Sequence, residues 1–244
     1  MQAMIFAAGL GTRLKPLTDT MPKALVTVGG QTLLERTLTT LKNVDCSDIV
    51  INVHHFSNQI IEFLKKHSSF NQNIYISDET SQLLNTGGGL KKALPLFKSD
   101  EPILIHNVDI ISNINLKEFY EVALQGEMQA LLLVSERKTS RYLLFDDDMN
   151  LCGWINKDTN EVKTPYPSLN INKCKCFAFS GIHTFSPSLS SYFSAFPDAF
   201  GIIDFYLSIC HKVQIRGYVK ENLTIVDVGK FDTLSQVEEI IKTL

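Results

Sequence analysis

Apolar residues arrive in short blocks along the first half of the chain, and each block alternates with a longer amphipathic stretch. Residues 4–8 (MIFAA), 49–53 (IVINV), 73–77, 103–106 (ILIH) and 129–135 read as buried strands. Between them, residues 32–42 (TLLERTLTTLK) place Leu33, Leu34, Leu38 and Leu41 on one side of a helix. Ser57 is a candidate N-cap for a helix running to about His67, and Asn115 for one over residues 116–125. Gly87, Gly88 and Gly89 open a further helix that ends near Pro95. Strands separated by helix-length crossovers predict a Rossmann-like α/β fold with a mixed, mostly parallel sheet and helices on both faces. Ligands of such sheets bind beyond the carboxyl ends of the strands.

The pattern changes in the second half. Residues 142–145, 152–156 and 173–185 are strand-like and joined by turn formers such as the run DDDMN at 146–150. They predict a small antiparallel annex. Helical periodicity returns at 188–195, 204–211 and 232–242, with strands at 214–219 and 224–228. Without an internal repeat or a low-complexity linker, a single domain over residues 1–244 is expected.

Composition narrows the class. The chain has 244 residues, 44% of them hydrophobic, with 23 Lys+Arg against 26 Asp+Glu. Slight acidity argues against a nucleic-acid binder held by phosphate neutralisation, yet leaves room for a small phosphorylated ligand. No apolar run approaches the roughly 18–20 residues of a membrane helix. The N-terminal residues lack a basic region and read as a strand, not a signal peptide. Five cysteines, odd in number and irregularly spaced, point to free thiols and a reducing cytoplasmic setting.

Four features carry candidate chemistry. The first strand runs into Ala8-Gly9-Leu10-Gly11-Thr12-Arg13, a turn whose backbone amides can approach a phosphate because no Cβ obstructs them. Arg13 and Lys23 add two cations for an anionic ligand; a purely structural tight turn is the competing reading. Thr86-Gly87-Gly88-Gly89 is the second feature, since glycines weaken a helix by about 1 kcal/mol each relative to Ala. Exposed N-terminal amides that bind a ligand would compensate; a close helix–strand approach is the alternative. Asp109 and Asp227, each beside an apolar strand, are the third and fourth. Their carboxylates could converge on one Mg²⁺, which favours few protein carboxylates plus substrate phosphates; a cap or loop salt bridge is the plainer reading of each alone.

Together these motifs resemble the sugar-1-phosphate nucleotidyltransferases. The resemblance rests on residues 7–14 (AAGLGTRL), Pro16-Leu17-Thr18, Pro22-Lys23-Ala24-Leu25, Thr86-Gly87-Gly88-Gly89, Asn107-Val108-Asp109, Phe179-Ser180-Gly181 and Val226-Asp227-Val228-Gly229, in that order. Short single-domain members, the N-acetylmuramate-1-phosphate uridylyltransferases and mannose-1-phosphate guanylyltransferase-like proteins, are the most similar. The resemblance implies a nucleotide-diphospho-sugar transferase fold and a Mg²⁺-dependent reaction of a nucleoside triphosphate with a sugar 1-phosphate. It divides the chain into a nucleotide-binding half, about 1–110, and a sugar-phosphate-binding half, about 111–244. It makes Arg13, Lys23, Asp109 and Asp227 catalytic, with Mg²⁺ on the two aspartates. Nucleotide binding falls to Ala8, Gly9, Gly11, Thr12, Arg13, Lys23, Thr86, Gly87, Gly88 and Asn107, and sugar binding to Ser180, Gly181 and Asp204, for which N-capping is the alternative. UTP with an N-acetylmuramate or N-acetylhexosamine phosphate is the first expected pair, followed by GTP with mannose 1-phosphate and then by choline-phosphate cytidylyltransfer. Val108 stands where many relatives carry Gly, so a catalytically silent nucleotide-sugar-binding regulator is the non-enzymatic alternative.

Overall fold

The computed structural model describes residues 1–229 and 234–241. Its core strand is β1 (Gln2–Phe6), buried along its whole length. Ala3 and Ile5 face one hydrophobic cluster while Met4 and Phe6 face a second, so the strand is covered on both sides. It is flanked in parallel by β4 (Asp48–Val53) and β6 (Ile103–Asn107), and β5 (Asn73–Asp78) continues the parallel run beyond β4.

On the other side of β6 lies β12 (Lys175–Phe185), antiparallel to it, then β8 (Ala130–Ser135), antiparallel to β12, then β13 (Ile215–Val219), parallel to β8. Two reversals restore the original direction. β8 therefore runs with β1 and β6, and its carboxyl end emerges at the same edge of the sheet. The amino-terminal part of β12 leaves this sheet to pair with β9 (Arg141–Phe145), which continues through β10 (Leu151–Asn156) to β11 (Glu161–Lys163) as the antiparallel annex. The fold is the mixed, mostly parallel α/β architecture that the strand pattern predicts.

Helices cover the sheet by burying their apolar stripes. In α1 (Leu33–Lys42) all four stripe leucines are essentially inaccessible, and Thr32 caps the helix by accepting from the Glu35 N–H. Each buried leucine contributes about 1.5–3 kcal/mol, which outweighs any propensity difference inside the helix. α4 (Leu116–Gln125) is capped by Asn115, whose Oδ1 accepts from the N–H groups of Lys117 and Glu118. α2 (Ser57–Lys66) departs from expectation: Ser57 is its first helical residue, and Phe56, at φ 54°, occupies the cap position without a side-chain bond. α3 (Asn85–Ala93) starts two residues before the first of its glycines.

The segment Pro187–Ala195 is a 3-10 helix, and α5 (Ile202–Ile209) begins earlier than the predicted 204. Phe193 and Phe205, with ring centroids 4.6 Å apart, join these two elements in an aromatic cluster. Of the predicted 232–242 helix, α6 (Leu234–Ile241) is present and the flanking positions lie outside the described residues. Three small pairings were not legible: the hairpin of β2 (Thr27–Val28) with β3 (Gln31–Thr32), the β11 edge strand, and β7 (Ile110–Ser112). All five cysteines are free. Among the described residues no helix is long and apolar enough to cross a membrane.

Two buried histidines give the fold an acid sensitivity. Burial holds the His183 imidazole down to about 3, and burial likewise lowers His106 to about 4 against a hydrogen bond to the Asn107 carbonyl. Neither ring nitrogen of His183 has a protein hydrogen-bond partner. Unfolded, both rings titrate near ~6.5. Between about pH 4 and about pH 6.5 the unfolded chain binds more protons, so stability falls as pH drops through that window. Urea midpoints measured from pH 7 to pH 5 are expected to decline, and His183→Phe to flatten the decline by up to about 1.4 kcal/mol per pH unit. An unchanged slope in that variant would contradict the assignment.

Candidate active site

The three neighbouring parallel strands β4, β1 and β6 end at one edge, and their carboxyl ends build one wall of a cavity of about 530 Å³. From β1 comes the Gly-rich turn. Ala7 N–H is fixed by Asn52 Oδ1 at 2.8 Å, and Leu14 N–H closes on the Gly11 carbonyl at 2.8 Å. Thr18 Oγ1 donates to the same carbonyl. Gly11 sits at φ +66°, and a Cβ there would meet Thr18 Cγ2 at 2.8 Å, so this position takes glycine for both conformation and space. Gly9, Thr12 and Arg13 remain exposed along the cavity. The loop presents open backbone beside a guanidinium.

From β6 comes Asn107-Val108-Asp109, all lining the cavity. Lys23, brought in by a short 3-10 turn at Lys23–Leu25, is largely buried and bonds the Asp109 carboxylate. The second acid arrives by a pairing that no sequence spacing reveals. β14 (Ile225–Asp227) lies antiparallel to β7, with Asp227 opposite Ile110 and the Val228 N–H on the Asp109 carbonyl at 2.8 Å. Burial raises the Asp227 pKa, and the charge of Asp109 raises it further; Lys23, Arg13 and Arg137 oppose the shift. Asp227 Oδ1 is buried without a hydrogen-bond partner. Gly229 bridges the acid and the loop, since a Cβ on it would stand 2.5 Å from Asp227 Oδ1 and 2.8 Å from an Arg13 nitrogen.

A pair of hard oxygen donors with one orphaned oxygen fits a small divalent cation. Among the described residues no group of three or more His, Cys, Asp or Glu is placed to hold a metal. Such an ion would therefore take its remaining ligands from phosphates and water.

Other candidates are distributed differently. Thr86 lines the cavity, and its hydroxyl accepts from the Ile202 N–H at 2.9 Å, tying α3 to α5. Gly87 and Gly88 do not line it. Their amides donate to the Phe200 carbonyl at 2.8 and 3.2 Å, so the glycines serve the close approach of another segment, and their N–H groups are already taken. Ser180 is buried, with its hydroxyl directed at Ser135, and Gly181 packs against Asn107. Asp204 does not cap α5, whose N-cap is Gly201; its carboxylate pairs with Lys163 at 3.0 Å near the cavity-lining Gly201. Val108 is accommodated by the first hydrophobic cluster, and its N–H bonds the Phe6 carbonyl.

Asn52 and Glu79 escaped the sequence reading. Fully buried Glu79 accepts from Asn52 Nδ2 at 2.7 Å and from the Leu84 N–H at 3.1 Å, forming a relay that ends on the Gly-rich turn. The available signal was Asn52 itself, a polar residue inside an apolar strand.

Residues 2–150 match the family model described as nucleotidyl transferase. The chain belongs to that family. Relatives include an N-acetylmuramate alpha-1-phosphate uridylyltransferase of Caulobacter vibrioides, 42% identical over 45% of this chain and 46% of that protein. Its counterpart in Neisseria meningitidis serogroup B is 40% identical over 50% and 53%. A mannose-1-phosphate guanyltransferase of Saccharomyces cerevisiae is 38% identical over 48% and 33%. The matched stretch thus spans about half the length of the first two relatives and less of the third. Among solved structures, the inositol-1-phosphate CTP transferase from T. maritima superposes with a TM-score of 0.78 at 15% identity, over 99% of this chain and 94% of that one. HddC from Yersinia pseudotuberculosis complexed with GMP-PN gives 0.74 at 21% identity, over 98% and 99%. At such identities the likeness is one of fold.

Proposed function

We propose that this nucleotidyl transferase family member joins a nucleoside triphosphate to a sugar 1-phosphate, forming a nucleotide-sugar and releasing pyrophosphate. UTP with N-acetylmuramate or N-acetylhexosamine 1-phosphate is the leading pair. The observation that carries the reading is convergence: the open Gly-rich turn with Arg13, and Asp109 with Lys23, line one cavity, and the buried Asp227 carboxylate lies close enough to feel the charge of Asp109. The uridylyltransferase relatives support the choice of base and sugar.

An oxygen of the sugar phosphate attacks the α-phosphorus, and the bond to the β-phosphate oxygen breaks as pyrophosphate leaves. Such a transfer is governed by positioning and by charge neutralisation. In this reading the 9–13 backbone holds the triphosphate and Arg13 neutralises the departing pyrophosphate. Lys23 answers charge near the reacting phosphorus, and Thr86 and Asn107 line the nucleotide side. Asp204, oriented by Lys163, accepts from sugar hydroxyls. The nucleotide is received by residues 1–110 and the sugar by 111–244, within a single domain. Asp109 and Asp227 would hold Mg²⁺, which supplies positive charge to both substrates when bound.

Pyrophosphate release across four nucleoside triphosphates and a panel of sugar phosphates tests this. The expected result is fastest turnover with UTP and N-acetylmuramate 1-phosphate. Preference for GTP and mannose 1-phosphate would support the second reading, to which the yeast relative points. Binding of nucleotide without turnover of any pair would overturn the enzymatic one.

A further inference from the structure

The proposed reaction presses two polyanions together, and the cations so far assigned all serve the nucleotide side. Lys23 is engaged by Asp109, and Arg13 stands on the Gly-rich turn beside Gly229. The acceptor phosphate must enter from elsewhere. Across the sheet the order β1, β6, β12, β8 sets the 9–13 turn at one end of the site and β8 at the other, with Asp109 between. Because β8 runs parallel to β1 and β6, the chain leaving Ser135 emerges at the edge where the cavity lies. The second residue past that end is Arg137.

One hydrogen bond fixes the direction of this side chain. Arg137 Nη2 donates to the Phe179 carbonyl at 3.0 Å. That carbonyl lies two residues before Gly181, whose backbone is so close to Asn107 on the cavity wall that a Cβ would be 2.7 Å from its Nδ2. The Arg137 charge also reaches the buried Asp227 carboxylate, alongside those of Lys23 and Arg13. The guanidinium is therefore held on the β12 side of the two aspartates. Among the described residues no carboxylate forms an ion pair with it. One of its five N–H groups is spent on anchoring, and the residue is exposed, outside the residues that line the cavity itself.

We infer that Arg137 is the anchor for the phosphate of the acceptor, seating the sugar 1-phosphate on the β12 side of the aspartate pair and opposite the Gly-rich turn. The inference rests on the reading of a sugar-phosphate acceptor. A planar fork grips two phosphate oxygens at once and leaves the third free to attack, which a lysine point charge does less well. Arg137 stays protonated throughout and transfers nothing. Its exposure means that water and salt screen the contact, so the effect belongs in binding more than in turnover.

Steady-state kinetics of the full-length chain test this. Arg137→Ala is expected to raise KM for the sugar phosphate at least tenfold, leave KM for the triphosphate within about twofold, and lower kcat only slightly. Arg137→Lys should recover part of the loss. Equal rises in both KM values, or none, would overturn the assignment. Should no sugar phosphate turn over in the unaltered chain, the sugar-phosphate reading falls and the anion anchor is judged separately, by calorimetric titration with inorganic phosphate. Phosphate binding that Arg137→Ala abolishes supports the anchor; identical titrations of the two proteins, blank ones included, overturn it.

Discussion

Asp109→Asn is expected to lower turnover at least a thousandfold while the protein stays folded. The substitution removes one charge from the pair of carboxylates suited to a divalent cation, yet the amide oxygen can still accept from Lys23. Core packing is untouched, because the residue stands at a strand end on the cavity wall. A thousandfold corresponds to about 4 kcal/mol of transition-state stabilisation, a usual scale for a metal that neutralises developing phosphoryl charge. The measurement is kcat under saturating substrates and excess magnesium, beside a urea unfolding curve. Near-normal kcat in a folded variant would remove Asp109 from the chemistry. Asp227→Asn should behave alike, for its orphaned oxygen has no structural bond to lose.

The second large effect falls on stability. Gly88→Ala would drive a Cβ to 2.0 Å from the Asp198 carbonyl oxygen, a backbone atom that cannot swing aside. Overpacking of this kind costs about 3 kcal/mol or more, and a chain of this length loses roughly 6–12 °C in Tm for that amount. Gly9→Ala is the control, since nothing lies within 4 Å of its added Cβ. It should melt close to the unaltered protein and yet bind nucleotide less well, because the new methyl group occupies the open face of the turn. Thermal unfolding of both variants checks the pair. Equal melting temperatures would show that the α3 glycines are not needed for close approach.

These two glycines show where a sequence stops being readable. A Gly-rich turn directly after a strand is local, so residues 9–13 could be assigned from their order alone. The α3 glycines signal only that side chains are unwelcome. Whether a ligand or another stretch of backbone comes close depends on residues 198–200, more than a hundred positions away. α1 was legible from its leucine stripe alone, and α4 because apolar spacing and a capping residue agree. β7 and the β2–β3 hairpin were not, because two or three residues show no period. Hence Asp109 and Asp227 could each be singled out by polarity, while the β7–β14 pairing that joins them could not. Arg137 carries no distinguishing neighbour in the sequence; the direction of β8 and the bond to the Phe179 carbonyl give it a place.

The bonds from Gly87, Gly88 and Ile202 to Phe200 and Thr86 have a consequence for how such an enzyme can diverge. They tie α3, which borders the cavity through Asn85 and Thr86, to the start of α5. If the proposed reading holds, a lineage that reshapes this seam to admit a bulkier sugar also displaces the wall proposed to receive the base. Preference for one substrate is thus inherited together with preference for the other, and the two are expected to change as a set.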